Sequence, residues 1–71
     1  MGFSGWWHLD FKLLEYDKRQ KLFIVHGDDG KTYIVPRKYV ADPKDYNDGD
    51  KNGVISIKES YAEQEGWCAT S

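Results

Sequence analysis

The chain has 71 residues, with 12 acidic and 10 basic side chains and a formal net charge of −2 at pH 7. A chain of this length folds as a single small domain, residues 1–71, and its charge balance excludes binding to polyanions through overall positive charge. The single cysteine excludes an internal disulfide, and no apolar run is long enough to cross a membrane.

Three strands are predicted in the first part of the chain. Apolar and polar residues alternate from Trp7 to Leu13, which is the periodicity of a half-buried strand. The next two segments are rich in β-branched and aromatic side chains, and turn residues bound each of them. The predicted strands cover residues 6–16, 21–26 and 31–36, joined by four-residue loops at 17–20 and 27–30.

The second part of the chain predicts a loop over residues 41–53, a short strand over 54–57 and a helix over 58–66 that ends at Gly66. We expect residues 68–71 to form a flexible tail. The predicted fold is mainly β with one helix (β+α): a small three- to four-stranded antiparallel meander and a short C-terminal helix. Because an open small sheet leaves one apolar face uncovered, closure into an SH3-like barrel is the favoured form.

The loop lengths also predict which side chains share a face. With four-residue loops, Ile24 lies opposite Leu13 and Tyr33. The expected core face carries Trp7, Leu9, Phe11, Leu13, Leu22, Ile24, Tyr33 and Val35. The opposite face carries Trp6, His8, Asp10, Lys12, Leu14, Tyr16, Phe23, Val25, Thr32 and Ile34. We expect the last helix to cover one face through Tyr61, Ala62 and Trp67.

The same pairing gathers basic side chains at one end of the sheet, because it places Arg19 opposite Lys38 and Gln20 opposite Arg37. We call this cluster the basic end; its members are Lys18, Arg19, Lys21, Arg37 and Lys38. Such a cluster is suited to an acidic protein surface or a phosphate backbone. The alternative is a solubilising sheet edge, since lysines commonly guard exposed edges.

Residues 48–59 meet the spacing D-x-[DN]-x-[DN]-G-x5-E at every position, with Gly53 at the sharp bend. They resemble an EF-hand calcium loop, in the half-motif form found in dockerins. The resemblance implies calcium as a cofactor, held by the oxygen atoms of Asp48, Asp50, Asn52, Val54, Ser56 and Glu59. The alternative is a solvated acidic turn, since Asp, Asn and Gly are also common turn residues.

A second resemblance covers about the last fifty residues. A strand that begins at Lys21 is followed by Asp29-Gly30-Lys31, Val35-Pro36-Arg37 and Ile55-Ser56-Ile57, and the chain then runs from Ala62 to Gly66-Trp67. This order is similar to small phage-encoded accessory proteins, whose functions are largely unassigned. The likeness implies a strand-to-helix role for Ile55, Ile57 and Glu59 in place of calcium binding.

The favoured function is a non-enzymatic module that binds a protein partner by surface contact, as a phage-type accessory or inhibitory protein would. The expected contact residues combine the basic end with aromatic side chains: Trp6, Tyr16, Arg19, Arg37 and Lys38. Calcium binding is the first alternative. Nucleic-acid binding, or DNA mimicry by the scattered aspartates, is the second and is not favoured, because acidic and basic residues nearly balance. No membrane partner is expected, and without a signal peptide we expect a cytoplasmic protein.

Catalysis and zinc binding are not expected. A nucleophile needs a base beside it and a third group to orient that base, and zinc needs closely spaced ligands. His8, His26 and Cys68 are scattered along the chain.

Overall fold

The computed structural model describes residues 5–67 and contains four strands, one α-helix and two short 3-10 turns. The strands are β1 (Trp6–Asp17), β2 (Leu22–Gly27), β3 (Thr32–Pro36) and β4 (Asp50–Lys58), and the helix is α1 (Glu59–Gln64). The 3-10 turns are Arg37–Tyr39 and Pro43–Asp45. The predicted mainly β fold with a short C-terminal helix is confirmed. The expected tail at 68–71, with Cys68, lies outside the described residues.

The strands form one antiparallel sheet in the order β3-β2-β1-β4. Within residues 5–67 the sheet is open, with β3 and β4 at its two edges, so it does not close into the SH3-like barrel. The segment between β3 and β4 crosses the core face, where Tyr39, Val40 and Tyr46 pack against the buried residues. This segment does part of the covering that a closed barrel would otherwise provide.

A β-bulge at Lys12 corrects the predicted assignment of the two faces. Phe11 pairs with Gly27 and Leu13 pairs with His26, so β1 contains one extra residue between them. An extra residue moves every later side chain of the strand to the opposite face. Leu14 is therefore fully buried, whereas Leu13, predicted in the core, is only half-buried.

The loop between β2 and β3 is one residue shorter than predicted, which changes the pairing of these two strands. The Gly27 N–H donates to the Lys31 carbonyl at 2.8 Å, and Gly30 takes a left-handed φ of 84°. The loop therefore has three residues instead of four, a form that favours glycine at its last position. Ile24 consequently lies opposite Ile34 in β3, not opposite Tyr33. The first loop keeps four residues but starts one residue later, after Asp17, so Ile24 lies opposite Glu15 in β1 and not opposite Leu13.

The resulting core contains aliphatic and aromatic residues from all four strands. Leu22 and Ile24, expected in the core, lie on the outer face, and Phe23 and Val25, expected outside, are buried. The buried residues are Leu9, Phe11, Leu14, Phe23, Val25, Tyr33, Val35, Val40, Ile55, Ile57 and Ala62.

The helix covers this core face in the predicted way. Ala62 is fully buried, and Tyr61 and Trp67 pack against the core cluster. The Trp67 ring meets that of Tyr33 edge-on at 5.1 Å, and Tyr61 stacks on Tyr39 at 4.3 Å. Such aromatic pairs add about 0.5–1.5 kcal/mol beyond the area they bury. The opposite sheet face, which we call the outer face, has no such cover from the described residues.

Strand β4 begins earlier than predicted because it incorporates turn-forming residues. Asn52 takes a left-handed φ of 54°, and Gly53 pairs with Phe11. A Cβ atom at Gly53 would lie 2.8 Å from the Phe11 ring, so only glycine allows the ring to lie over this strand. The loop predicted over 41–53 therefore ends at Asp50, where pairing with Leu14 begins.

Candidate protein-binding surface

The basic end is formed where the β1–β2 loop meets the chain leaving β3. The Arg37 N–H donates to the Lys21 carbonyl at 2.9 Å, which fixes the two segments side by side. Arg37 therefore lies beside Lys21, one residue from the predicted partner Gln20. A cleft of about 460 Å³ lies between the segments, lined by Gln20, Lys21, Pro36, Arg37 and Lys38.

The cations of the basic end are exposed and are not neutralised by neighbouring carboxylates. Among residues 5–67 the only ion pair within 4.0 Å joins His26 to Glu15, at 2.6 Å, on the outer face. Asp17 lies next to the cluster, but its carboxylate accepts the backbone N–H groups of Arg19 and Gln20 and so orders the loop. The basic end thus has a local positive charge on a chain whose net charge is −2.

The opposite end of the β2–β3 hairpin is acidic. The Asp29 carboxylate accepts a hydrogen bond from the Tyr33 hydroxyl at 2.6 Å and from the Lys31 N–H at 2.9 Å. These bonds, the Tyr33 bond foremost, hold the pKa of Asp29 below its usual value, and the same bond together with burial raises the pKa of Tyr33. Asp29 is therefore ionised near neutral pH, and the hairpin has charges of opposite sign at its two ends.

The five predicted contact residues are only partly brought together. Arg19, Arg37 and Lys38 lie at the basic end. Tyr16 is near them, but its half-buried ring packs on Phe23 at 4.8 Å, so it lies on the core face and not on the predicted exposed face. Trp6 is 46% exposed at the far end of β1, about 36 Å from Asp17 along an extended strand. Trp6 therefore does not share a compact surface with the basic end.

The outer face brings apolar residues to the basic end, two of which, Leu22 and Ile24, were predicted in the core. Leu22 pairs with Pro36 and Ile24 with Ile34 across β2 and β3. We call these four residues the apolar strip; Ile34 is 53% exposed and the other three are half-buried. Pro36 also lines the basic cleft, so the strip and the cleft form one continuous surface. The alternation of apolar residues along β2 and β3 was visible in the sequence. The bulge at Lys12 decides the face of Leu22 and Ile24, and the three-residue loop then sets Ile34 beside Ile24.

The residues of the predicted calcium loop are spread along β4 and its flanks. Asp48 accepts the Tyr16 N–H at 2.9 Å, and Asp50 accepts the Asn47 N–H at 2.8 Å. The Glu59 carboxylate lies against Gly5, at the other end of the strand. Positions 50 and 58 of such a strand are about 26 Å apart, whereas calcium ligands lie within about 2.3–2.6 Å of the ion.

Within residues 5–67 there is no group of three acidic, histidine or cysteine side chains arranged to hold a metal ion. Calcium binding at Asp48, Asp50, Asn52, Val54, Ser56 and Glu59 stays a prediction. It requires a conformation in which this segment leaves the sheet.

The two histidines make separate contacts on the outer face. His8 Nδ1 lies 2.8 Å from the Ser56 hydroxyl, and His26 Nε2 lies 2.6 Å from the Glu15 carboxylate. His8 and His26 are several strand positions apart, because His8 is opposite Ser56 and His26 is opposite Leu13. The described chain thus presents a Ser–His contact and a His–Glu contact, but does not join them into one nucleophile–base–carboxylate arrangement.

No known protein family, curated protein or solved structure matches the chain. None of the helices in residues 5–67 has the length and apolar character that crossing a bilayer demands. A functional assignment therefore depends on the chemistry of the surface itself, and the basic end with its apolar strip is the surface that combines charge, a cleft and exposed apolar groups.

Proposed function

We propose that this protein is a non-enzymatic binding module that recognises an acidic region of a protein partner through the basic end and the apolar strip. The observation that carries the proposal is the grouping of exposed cations around a cleft, with no carboxylate partner in residues 5–67. Clusters of this kind attract an oppositely charged partner and speed its association.

The apolar strip favours a protein partner over a nucleic acid. Leu22, Ile24 and Ile34 adjoin the cations and offer aliphatic surface. Protein interfaces combine an apolar centre with a polar rim, whereas the phosphate backbone is bound mainly through charge. Base stacking would call for exposed aromatic rings beside the cations. Trp6 lies far from them and Tyr16 is turned to the core face. Tyr39 has the Lys38 ammonium 5.2 Å from its ring centre, but its ring is half-buried and stacked on Tyr61.

The test begins with peptides selected from a random linear display library on the wild-type protein. We expect the selected peptides to be rich in Asp and Glu and to contain an aliphatic residue. Their affinity is then compared for wild type and for the charge-reversal variant R19E/R37E. A loss of at least about tenfold is expected, as for removal of close charge pairs.

The matched control is K12E/K58E, which makes the same change in net charge at two exposed lysines away from the basic end. It should keep most of the affinity at physiological salt, because the Debye length there is about 8 Å. Equal losses for the two double variants would contradict the proposal. So would selected peptides without acidic enrichment, or tight binding to duplex DNA that weakens steeply with salt.

A further inference from the structure

The outer edge of β3 is an open hydrogen-bonding edge. Close pairs Gly27–Lys31 and Lys21–Arg37 mark the two ends of the β2–β3 ladder. Because backbone groups alternate in direction along a strand, Tyr33 and Val35 bond to β2 while Thr32 and Ile34 direct their N–H and C=O groups away from it.

No residue in the range 5–67 hydrogen-bonds the outward groups of Thr32 and Ile34. Both residues are exposed. An edge of this kind can accept a further strand, which is a known way for proteins to bind extended peptides.

The charges beside this edge differ from one end to the other. Arg37 and Lys38 follow β3 and belong to the basic end, whereas Asp28 and Asp29 precede it. A strand lying along β3 would therefore be attracted most strongly if its acidic residues lay beside Arg37. At the other end Asp28 and Asp29 outnumber Lys31, and the Asp29 carboxylate accepts the Lys31 backbone N–H.

We infer that β3 binds an extended peptide segment of the partner as an additional antiparallel strand, with an acidic amino-terminal part beside Arg37 and Lys38 and β-branched residues along Thr32 and Ile34. This inference deepens the proposed function and rests on it. The antiparallel direction follows the rest of the sheet, in which every neighbouring pair is antiparallel. In that direction the peptide's first residues meet the carboxyl end of β3, which is the basic end.

A second copy of this chain is a poorer occupant of the same edge. Two β3 strands paired about Ile34 would place Pro36 of each copy opposite Thr32 of the other. Because Pro36 has no N–H, such a pair would lack two of its ladder hydrogen bonds, whereas a peptide strand on β3 would lack only one.

The probe is a capped peptide in which a run of glutamates is followed by alternating valine and threonine and a final lysine. Its control has the same residues in reverse order. We expect the first peptide to bind at least about tenfold more tightly, a difference of roughly 1.4 kcal/mol. Equal affinity would show attraction without strand pairing, and tighter binding of the reversed peptide would exclude the antiparallel direction; either result overturns the inference.

Backbone pairing is tested with the wild-type protein, which avoids any question of folding. N-methylation of the peptide at one set of alternate residues should abolish binding, and methylation at the other set should leave it nearly unchanged. In amide hydrogen exchange, the peptide should slow Thr32 and Ile34, while Tyr33 and Val35 are already protected by β2. Peptide binding that is insensitive to both methylation patterns would overturn the inference. So would a protein that, without peptide, sediments as a dimer paired through β3.

Comparison of I34P with Ile34→Ala separates this inference from the proposed function, because both variants remove the apolar side chain and only I34P removes the outward N–H. Proline at this position removes no bond to β2, a placement that edge strands accept. We expect I34P, with an unchanged circular dichroism spectrum, to bind the peptide at least about tenfold more weakly than Ile34→Ala does. If I34P binds normally while R19E/R37E does not, strand addition is refuted and the proposed function stands. If R19E/R37E binds normally while I34P does not, the proposed function fails.

Discussion

The two edges of the sheet differ in whether residues outside the strands hydrogen-bond to them. On the β4 edge, the Ala41 N–H donates to the Ser56 carbonyl at 3.0 Å, and the Tyr46 hydroxyl accepts the Ser56 N–H at 3.3 Å. Val40 forms a bridge with Ile57 and is buried. On the β3 edge, no described residue does the same for Thr32 or Ile34. The β4 edge is thus covered at Ser56 from within the domain, whereas no residue in the range 5–67 covers the β3 edge in this way.

This difference has a direct cause in the connection between β3 and β4. The strands lie at opposite edges, so the chain must cross the core face to join them. Beside β4, this segment buries the Val40 side chain and pairs the Ala41 N–H with the strand. The chain leaves β3 through Pro36, and Arg37 then turns into a 3-10 turn, so the departing segment does not fold back along β3.

The largest expected effect comes from placing an aspartate in the segment that covers the β4 edge and comparing it with an aspartate on the β3 edge. Val40→Asp introduces an unpaired carboxylate at a position that is 4% exposed, whereas Ile34→Asp places it at one that is 53% exposed. We expect Val40→Asp to lower the free energy of unfolding by more than about 4 kcal/mol, and Ile34→Asp by about 0.5 kcal/mol or less. Urea unfolding followed by circular dichroism measures both. Similar losses of unfolding free energy for the two variants would mean that position 34 is as well covered as position 40.

Sequence reasoning identified the strands, but it assigned the faces correctly only for β3 and the first half of β1. The alternation from Trp7 to Phe11 correctly places Leu9 and Phe11 in the core and Trp7 against it. Two adjacent leucines, Leu13 and Leu14, fit either face equally well, and the choice is made by tertiary packing. The bulge at Lys12 buries Leu14, and no glycine or proline there marks the change. Local periodicity cannot locate such a bulge, because the pattern on each side of it is an ordinary strand pattern.

The basic end was predictable because it depends little on register. The β1–β2 loop and the residues that follow β3 reach the same end of the sheet whether or not the pairing slips by one residue. Trp6 and Arg19 are far apart, because Trp6 begins β1 and Arg19 follows its last residue, Asp17; a contact role for Trp6 stays a prediction. Gly53 was predicted to lie in a loop because glycine is common in turns. It lies instead in β4, where the Phe11 ring leaves no room for a side chain.

A smaller effect is expected at the hairpin that carries the open edge. The pKa of Asp29 is lowered by the Tyr33 hydroxyl and the Lys31 N–H. A carboxyl group whose pKa is lowered on folding stabilises the protein above its unfolded pKa, near 3.8, and this contribution is lost as the pH falls through the folded pKa. Stability should therefore decline below about pH 4, and Asp29→Asn should remove this part of the pH dependence.

The pKa of Tyr33 is raised from 10.0, so its contribution is complete below pH 10 and is lost as the pH rises through the folded value. Tyr33→Phe should remove that alkaline loss. Unfolding of wild type and both variants across the pH range measures these contributions. Unchanged acid dependence in Asp29→Asn would show that the carboxylate does not hold β3 in place. Because the carboxylate is exposed, solvent screens the effect, and it should be smaller than that of Val40→Asp.

The smallest effect is expected from calcium, and it bears on the covered edge. A calcium loop over 48–59 and strand β4 are alternative conformations of one segment, since the strand holds Asp50 and Glu59 far apart and pairs with β1 along most of its length. An ion that binds only the folded state raises its stability, whereas one that requires β4 to leave the sheet competes with folding. We therefore expect the same Tm in millimolar Ca²⁺ and in chelator. A rise in Tm that Glu59→Gln abolishes would show that these oxygens gather around the ion. It would also show that the β4 edge is rebuilt when calcium binds.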